Sequence, residues 1–276
     1  MSDLQGVTLS FIGSGVMAEA MIKGILNQGL TGPSHMIASG PRPERGEELA
    51  ERYGVKRTTD NRQAAEAAQI VIVCVKPQVV PGVLKELKGA IAPDGLVLSI
   101  VAGAKIKVMA KALGHAAVVR VMPNTPAQIG QGMSVWTATA EVSDEQRAQT
   151  QSILRALGEE IYVKDEDYLD MATALSGTGP AYVFLFMEAM IDAVVHLGFS
   201  RRVAQQLVLQ TLQGSVAFAR QSVSHPAELR NMVTSPGGTS AEALYQLEKG
   251  GVRTVLSRAI WAAYQKSKYL GELSSK

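Results

Sequence analysis

Short apolar runs separated by polar segments of helical spacing fill the first 164 residues. The runs at 7–12, 36–39, 70–75, 96–101, 118–122, 133–137 and 160–163 are short and rich in apolar and β-branched residues, most densely at 70–75 and 96–101, which predicts strands, the densest of them buried on both faces. Between them, residues 17–27, 43–53, 80–87, 105–113 and 144–157 place apolar side chains every three or four positions and read as helices. Apolar strands alternating with helices predict an α/β domain with a parallel sheet covered on both sides.

After residue 164 the strands stop. Segments 167–175, 181–197, 201–220, 226–233, 241–248 and 253–270 all read as helices, with Gly198, Pro226, Gly250 and Gly251 as punctuation. Two of them, "AYVFLFMEAMIDAVV" and "AQQLVLQTLQGSVAFA", are apolar around more than half of their circumference. Such helices must be buried, and a domain of about 110 residues offers little interior, so burial against a second copy is expected. The expected division is 1–164 for the α/β part and 165–276 for an all-α part.

Composition narrows the picture only modestly. With 46% hydrophobic and 19% charged residues the chain is of ordinary globular type, and a net charge of +2 without a basic block gives no footprint for nucleic acid. The longest apolar segment is interrupted by Glu188 and Asp192, so no membrane span is expected. The single cysteine, Cys74 in "IVIVCV", forms no internal disulfide and reads as a buried strand residue, not a nucleophile. The start, "MSDLQGVTLS", lacks the pattern of an export signal, and a cytoplasmic location is expected.

Candidate chemistry begins where the first strand ends, in "FIGSGVMAEAM". Gly13 permits a tight turn, Gly15 lets a pyrophosphate approach the backbone, and Ala18 packs the following helix on the sheet. At a strand–helix junction followed by further βα units, this spacing predicts a Rossmann-type dinucleotide site. The second strand closes in "IASGPRPE", with no acid for a ribose hydroxyl but with Ser39, Gly40 and Arg42. A guanidinium there favours NADPH over NADH, unless Arg42 is simply a surface residue. "CVKPQ" and "SIVAGAKI" follow the third and fourth strands and should border the nicotinamide half; Lys76 is either a solvated loop residue or a neighbour of the cofactor.

A second candidate lies in "NMVTSPGGTSAEALYQLEKGG", where Pro236, Gly237 and Gly238 lead into Thr239 and Ser240. Locally this is a helix start, with Thr239 as N-cap and Glu242 completing a capping box. Exposed backbone N–H groups at a helix N-terminus also make an anion site. His35, His115, His196 and His225 have no acid or cysteine at suggestive spacing and read as structural or surface residues, and no cluster of ligands points to a metal. Gly177 and Gly179 in "SGTGPAY" read locally as a tight junction with Pro180 at the first helical position.

These segments together with "MPNTPA", "SGTGPAYVF" and "GGVRTVL" span the whole chain, and in them the chain resembles the pyrroline-5-carboxylate reductases. The resemblance implies a Rossmann-type NADP-binding domain followed by a helical dimerisation domain, reduction of the cyclic imine 1-pyrroline-5-carboxylate to L-proline, and a homodimer that assembles further, commonly as a decamer of five dimers. It places NADPH, with NADH as the second option, against Ile12, Gly13, Ser14, Gly15, Val16, Met17, Ser39, Gly40, Asn61, Cys74, Val75, Lys76, Pro77, Val101, Ala102 and Gly103, to which the residues themselves add Arg42 after the second strand and Asn124 in the turn of "MPNTPA" as cofactor-site candidates. It places the substrate against Ser235, Gly237, Gly238, Thr239 and Ser240 of one protomer facing the nucleotide domain of the other, with Ser176 and Thr178 in support. Ser240, or else Thr239, is expected to serve the imine nitrogen.

The chain departs from the family in two places. Ser240 stands where threonine is usual, keeping the hydroxyl but losing the methyl that restricts its rotamer, and Val223 stands where some relatives carry a substrate-facing glutamate. Two rival readings are a β-hydroxyacid dehydrogenase and a non-catalytic dinucleotide sensor. The first requires a lysine after the Gly-rich segment, and none occurs between Lys164 and Lys249; the second has no use for a second anion loop.

Overall fold

Among the residues that the computed structural model describes, 4–273, eight strands form one sheet. The α/β part contains β1 (Leu9–Ile12), α1 (Val16–Asn27), β2 (Met36–Ser39), α2 (Pro43–Tyr53), β3 (Lys56–Thr58), α3 (Asn61–Glu66), β4 (Ile70–Val73), α4 (Val80–Leu87) and β5 (Leu96–Ser99). It continues with α5 (Ile106–Leu113), β6 (Val118–Met122), β7 (Gly132–Ala138), α6 (Asp144–Arg155), β8 (Gly158–Tyr162) and α7 (Asp167–Ala172). The spatial order is β3-β2-β1-β4-β5-β6-β7-β8, and every pairing is parallel except β6 with β7.

Successive side chains of each strand enter opposite cores, which is why the strands read as unbroken apolar runs. Phe11, Ile72 and Leu98 face a core shared with Met21 and Ile25 of α1, Leu49 of α2 and Ile153 of α6. Ile12, Val71, Val73 and Val97 face a second core with Ala64 of α3, Leu84 of α4 and Met109 of α5. A doubly wound sheet places its ligand crevice where the strand order reverses, at the carboxyl ends of β1 and β4.

The expected elements need three corrections. β3 and α3 have no counterpart in the apolar pattern: β3 is a polar three-residue strand, and α3 is six residues long. The strands expected at 70–75 and 96–101 end at Val73 and Ser99, because Cys74 and Ile100 turn into loops held by Cys74 N–H to the Ile12 carbonyl and Ile100 N–H to the Val73 carbonyl. The helix expected at 167–175 splits into α7 and a π-helical turn, Thr173–Gly177, closed by Thr178 N–H on the Thr173 carbonyl.

Compactness divides the chain at Thr178 and Trp261, whereas the change of pattern falls at residue 164. The first unit keeps α7 and the π turn and takes back the chain from Ala262. The second unit, Gly179–Trp261, holds α8 (Gly179–His196), α9 (Arg201–Gln221), α10 (Pro226–Met232), α11 (Thr239–Lys249) and the beginning of α12 (Val252–Leu273). Within it α8 and α9 form an antiparallel pair, tied by Arg201 to Asp192 at 2.8 Å and with Ser200 as N-cap. No residue of α8 is buried, and Phe184 is 62% exposed. The continuous helical run Asp167–His196 is also, by length and composition, long and apolar enough to cross a membrane.

Candidate nucleotide and substrate sites

The glycine loop is shaped by contact as much as by torsion. Gly13 has φ +103°, and a Cβ there would stand 2.9 Å from Val75 Cγ1 and 3.0 Å from the Cys74 backbone, so no larger residue fits. Its N–H donates to the Ser39 carbonyl, joining the ends of β1 and β2. Gly15 is the N-cap of α1, with no side-chain cap and open space where a Cβ would be. A pyrophosphate fits that arrangement: exposed backbone, no side chain in the way, and the positive end of α1 behind it. Ile12 closes β1, Ser14 is buried beside Gly40, and Val16 and Met17 open the helix.

A charged cluster braces this loop from behind. Arg45 Nε donates to the Ser14 carbonyl at 3.0 Å, and its guanidinium pairs with Glu19, which also receives Arg52 and, at 2.9 Å, the Tyr53 hydroxyl. Burial alone would push the Glu19 carboxyl up, but the hydrogen bonds from Arg45, Tyr53 and Arg52 outweigh it and hold the group below the usual carboxylate range. A lowered folded pKa contributes stability above the unfolded value and loses it as pH falls through the folded one. Urea unfolding of wild type and Glu19→Gln should therefore differ near neutral pH and converge on acidification below the usual carboxylate range. Parallel pH curves would remove this role from Glu19.

At the end of β2, buried Ser39 Oγ donates to Asn61 Oδ1 at 2.7 Å, and Asn61 Nδ2 donates to Glu86 Oε2 at 2.8 Å. Two residues named separately as candidates for the nucleotide site are thus in contact, and Glu86 of α4 joins them without any signal in the sequence. Arg42 precedes α2, is exposed, and has no ion-pair partner among the described residues. Lys76 is also exposed, at the start of a short 3₁₀ turn opened by Pro77. Cys74 and Val75 lie half-buried just past β4, and burial pushes the Cys74 thiol up, which suits packing and not nucleophilic work.

A cavity of about 600 Å³ opens beyond these loops, within the first compact unit. Pro77, Ala102 and Gly103 form one wall, Thr173 and Thr178 a second, and Lys266 and Ser267 of α12 a third. Val101 is buried behind it, its N–H on Ser99 Oγ. Thr178 Oγ1 donates to the Thr173 carbonyl and Ser176 Oγ to the Ala172 carbonyl, so both hydroxyls keep only acceptor capacity toward a ligand. Asn124 Oδ1 accepts from Met133 N–H at 2.9 Å and thereby anchors the start of β7.

In the second unit, Gly237 (φ +69°) makes the turn that the Gly238 N–H closes on the Ser235 carbonyl at 3.0 Å. The helix begins at Thr239, with Gly238 as N-cap and no side-chain cap. The expected capping box is therefore absent: Thr239 is already helical, and Glu242 Oε1 accepts instead from Gln246. The N–H groups of Thr239 and Ser240 have no hydrogen-bond partner among the described residues, so two backbone donors are open at this terminus. A capping box does form at α10, where His225 caps the helix with Glu228, a structural use of that imidazole.

Known proteins match both halves of this arrangement. Residues 166–270 match the family model for pyrroline-5-carboxylate reductase dimerisation, and residues 8–103 match that for coenzyme F420-dependent NADP oxidoreductases. A pyrroline-5-carboxylate reductase of Pseudomonas aeruginosa is 40% identical over 96% of this chain and 97% of its own; one of Synechocystis is 38% identical over 96% and 99%. Among solved structures, the Coxiella burnetii reductase superposes with a TM-score of 0.89 at 36% identity, covering 96% of this chain and 98% of its own. The Plasmodium falciparum enzyme, solved with NADP bound, gives 0.88 at 32% over the same shares. With identity of this level running from the glycine loop through the helical half, the chain belongs to the pyrroline-5-carboxylate reductase family.

Proposed function

We propose that the protein reduces 1-pyrroline-5-carboxylate to L-proline with NADPH, the last step of proline biosynthesis, and that it does so in the cytoplasm. The observation that carries this reading is the near full-length match to pyrroline-5-carboxylate reductases, because it includes both the open glycine loop and the uncapped α11 terminus. When bound, NADPH supplies the hydride that the imine carbon accepts. The residues of the chain bind and orient. Gly13, Gly15 and the α1 terminus hold the pyrophosphate, Ser39 and Asn61 the adenosine ribose, and Arg42 its phosphate. The loops of Cys74 to Pro77 and of Val101 to Gly103 border the nicotinamide.

The substrate carries one carboxylate and one ring nitrogen. The free N–H groups at the start of α11 and the Ser235 hydroxyl suit the carboxylate, and the Ser240 hydroxyl suits the nitrogen, whose protonated form makes the adjacent carbon a better hydride acceptor. The protein self-associates through its dimerisation half. The exposed apolar positions of α8 and α9 are the surface that a second copy covers, each protomer lends its 235–240 loop to the other's nucleotide domain, and five such dimers build a decamer.

Steady-state NADPH oxidation with pyrroline-5-carboxylate, set beside 3-hydroxy acids, tests the reading. Turnover with the imine alone is expected; turnover with hydroxy acids would favour a dehydrogenase, and neither would favour a sensor. In the same assay Arg42→Asp should shift the NADPH-to-NADH preference by about tenfold toward NADH, by exchanging a phosphate partner for a repelling charge. An unchanged ratio would return Arg42 to the surface and leave the phosphate to Ser39.

A further inference from the structure

Arg120, in the middle of β6, is 2% exposed and is the only guanidinium so deeply buried among the described residues. Its Nη1 donates to Glu166 Oε1 at 2.8 Å, and its Nη2 to Asp170 Oδ1 at 3.4 Å. Each acceptor oxygen takes a second donor. Glu166 Oε1 also accepts the Ile106 N–H at 2.8 Å, the first N–H of α5, directly after the loop of Ala102 and Gly103. Asp170 Oδ1 also accepts the Ser267 hydroxyl of α12 at 3.0 Å. One side chain thus ties together the three elements that wall the 600 Å³ cavity: the 101–105 loop, the helix that runs into the π turn with Thr173 and Thr178, and α12.

Stability alone is a poor account of this cluster. A buried ion pair is commonly matched in stability by apolar side chains of the same volume, whereas a fork with fixed donors imposes one geometry on its partners. The backbones it joins approach closely as well: a Cβ on Gly103 would lie 3.4 Å from the Gly271 nitrogen. A change in the fork therefore moves the cavity walls against each other. We infer that Arg120 is a positioning residue for hydride transfer: its two-carboxylate fork sets the spacing between the nicotinamide loop and the opposite wall of the cavity. The inference rests on the reductase reading, and Arg120 itself touches neither substrate nor cofactor.

Arg120→Lys and Ser267→Ala in the full-length enzyme test it. A lysine ammonium serves one carboxylate at full geometry but cannot fork to both, and Ser267→Ala cuts only the tie to α12. The readouts are kcat per NADPH-binding site, the NADPH Kd, and the isotope effect with NADPH deuterated at the transferred position. Because small misplacements of reacting groups cost up to about a hundredfold, kcat should fall about tenfold in Arg120→Lys and about threefold in Ser267→Ala. The NADPH Kd should stay within about twofold, and the isotope effect should rise as hydride transfer becomes limiting. A lowered Tm with kcat per site and isotope effect at wild-type values would overturn the inference and leave Arg120 a structural residue. If Arg120→Lys does not fold, Asp170→Asn, which takes the charge from one arm of the fork without touching the cavity lining, decides by the same readouts. A wild-type enzyme that fails to oxidise NADPH with the imine removes the reductase reading and this inference with it; a working wild type with unaltered variants removes only the role of Arg120.

Discussion

Leu209→Lys should yield aggregated or unfolded protein with no reductase turnover. Leu209 lies on α9 and is 42% exposed in a single chain, beside an α8 that buries none of its residues. An apolar surface of this extent is not stable in water, and the family's dimerisation half provides the means to cover it. An ammonium placed there must either be stripped of water, at a cost of several kcal/mol, or hold the subunits apart. Under the proposed shared site, either outcome removes the loop that one protomer would lend to the other, so stability and activity should fall together. Light scattering after size exclusion, with NADPH oxidation assayed on each fraction, measures both. Leu209→Met keeps volume and polarity and should remain assembled and active. A soluble Leu209→Lys monomer that still turns over the imine would end the picture of a site shared by two protomers.

How much of this was legible beforehand differs between fold and site. β2, β6, α2 and α4 have the limits their pattern predicts, because in each the apolar spacing begins and ends with the element. β3 was not legible: Lys56, Arg57 and Thr58 form an edge strand only because β2 offers hydrogen bonds beside them. The apolar runs overshot β4 and β5, since Val75 and Val101 are apolar for the sake of the second core while their backbone has already left the sheet. Glycine positions were legible where steric need dictates the residue, as at Gly13. The Arg120 cluster was not, because its members stand at 106, 120, 166, 170 and 267 and only the folded chain brings them together. The start of α11 was legible as a helix start but misassigned by one residue. Thr239 followed by Glu242 fits a capping box on paper, yet Gly238 takes the cap position and leaves the N–H groups of the first turn open.

That displacement sharpens what the two hydroxyls of this loop should do. Ser240→Ala should lower turnover with pyrroline-5-carboxylate while leaving the NADPH Kd nearly unchanged, because the role proposed for it is toward the ring nitrogen and not the nucleotide. A hydrogen bond to a charged nitrogen contributes roughly 1.5–3 kcal/mol, which is about ten- to a hundredfold in kcat if it strengthens as the transition state forms. Ser240→Thr restores the family's usual residue and adds only a methyl, so it should be close to neutral. Thr239 makes no cap bond at the first helical position, so Thr239→Ala should change stability by only a few tenths of a kcal/mol, well short of the roughly 1 kcal/mol that loss of a true N-cap costs. Its kinetic effect should also be the smaller of the two, since its backbone N–H, the group proposed to meet the carboxylate, survives the substitution. The measurements are kcat and KM for the imine and NADPH binding by fluorescence on each variant. If Thr239→Ala abolishes turnover and Ser240→Ala spares it, the hydroxyls exchange roles at the same helix terminus. If both variants keep full activity, the start of α11 is only a helix start, and neither hydroxyl serves the substrate.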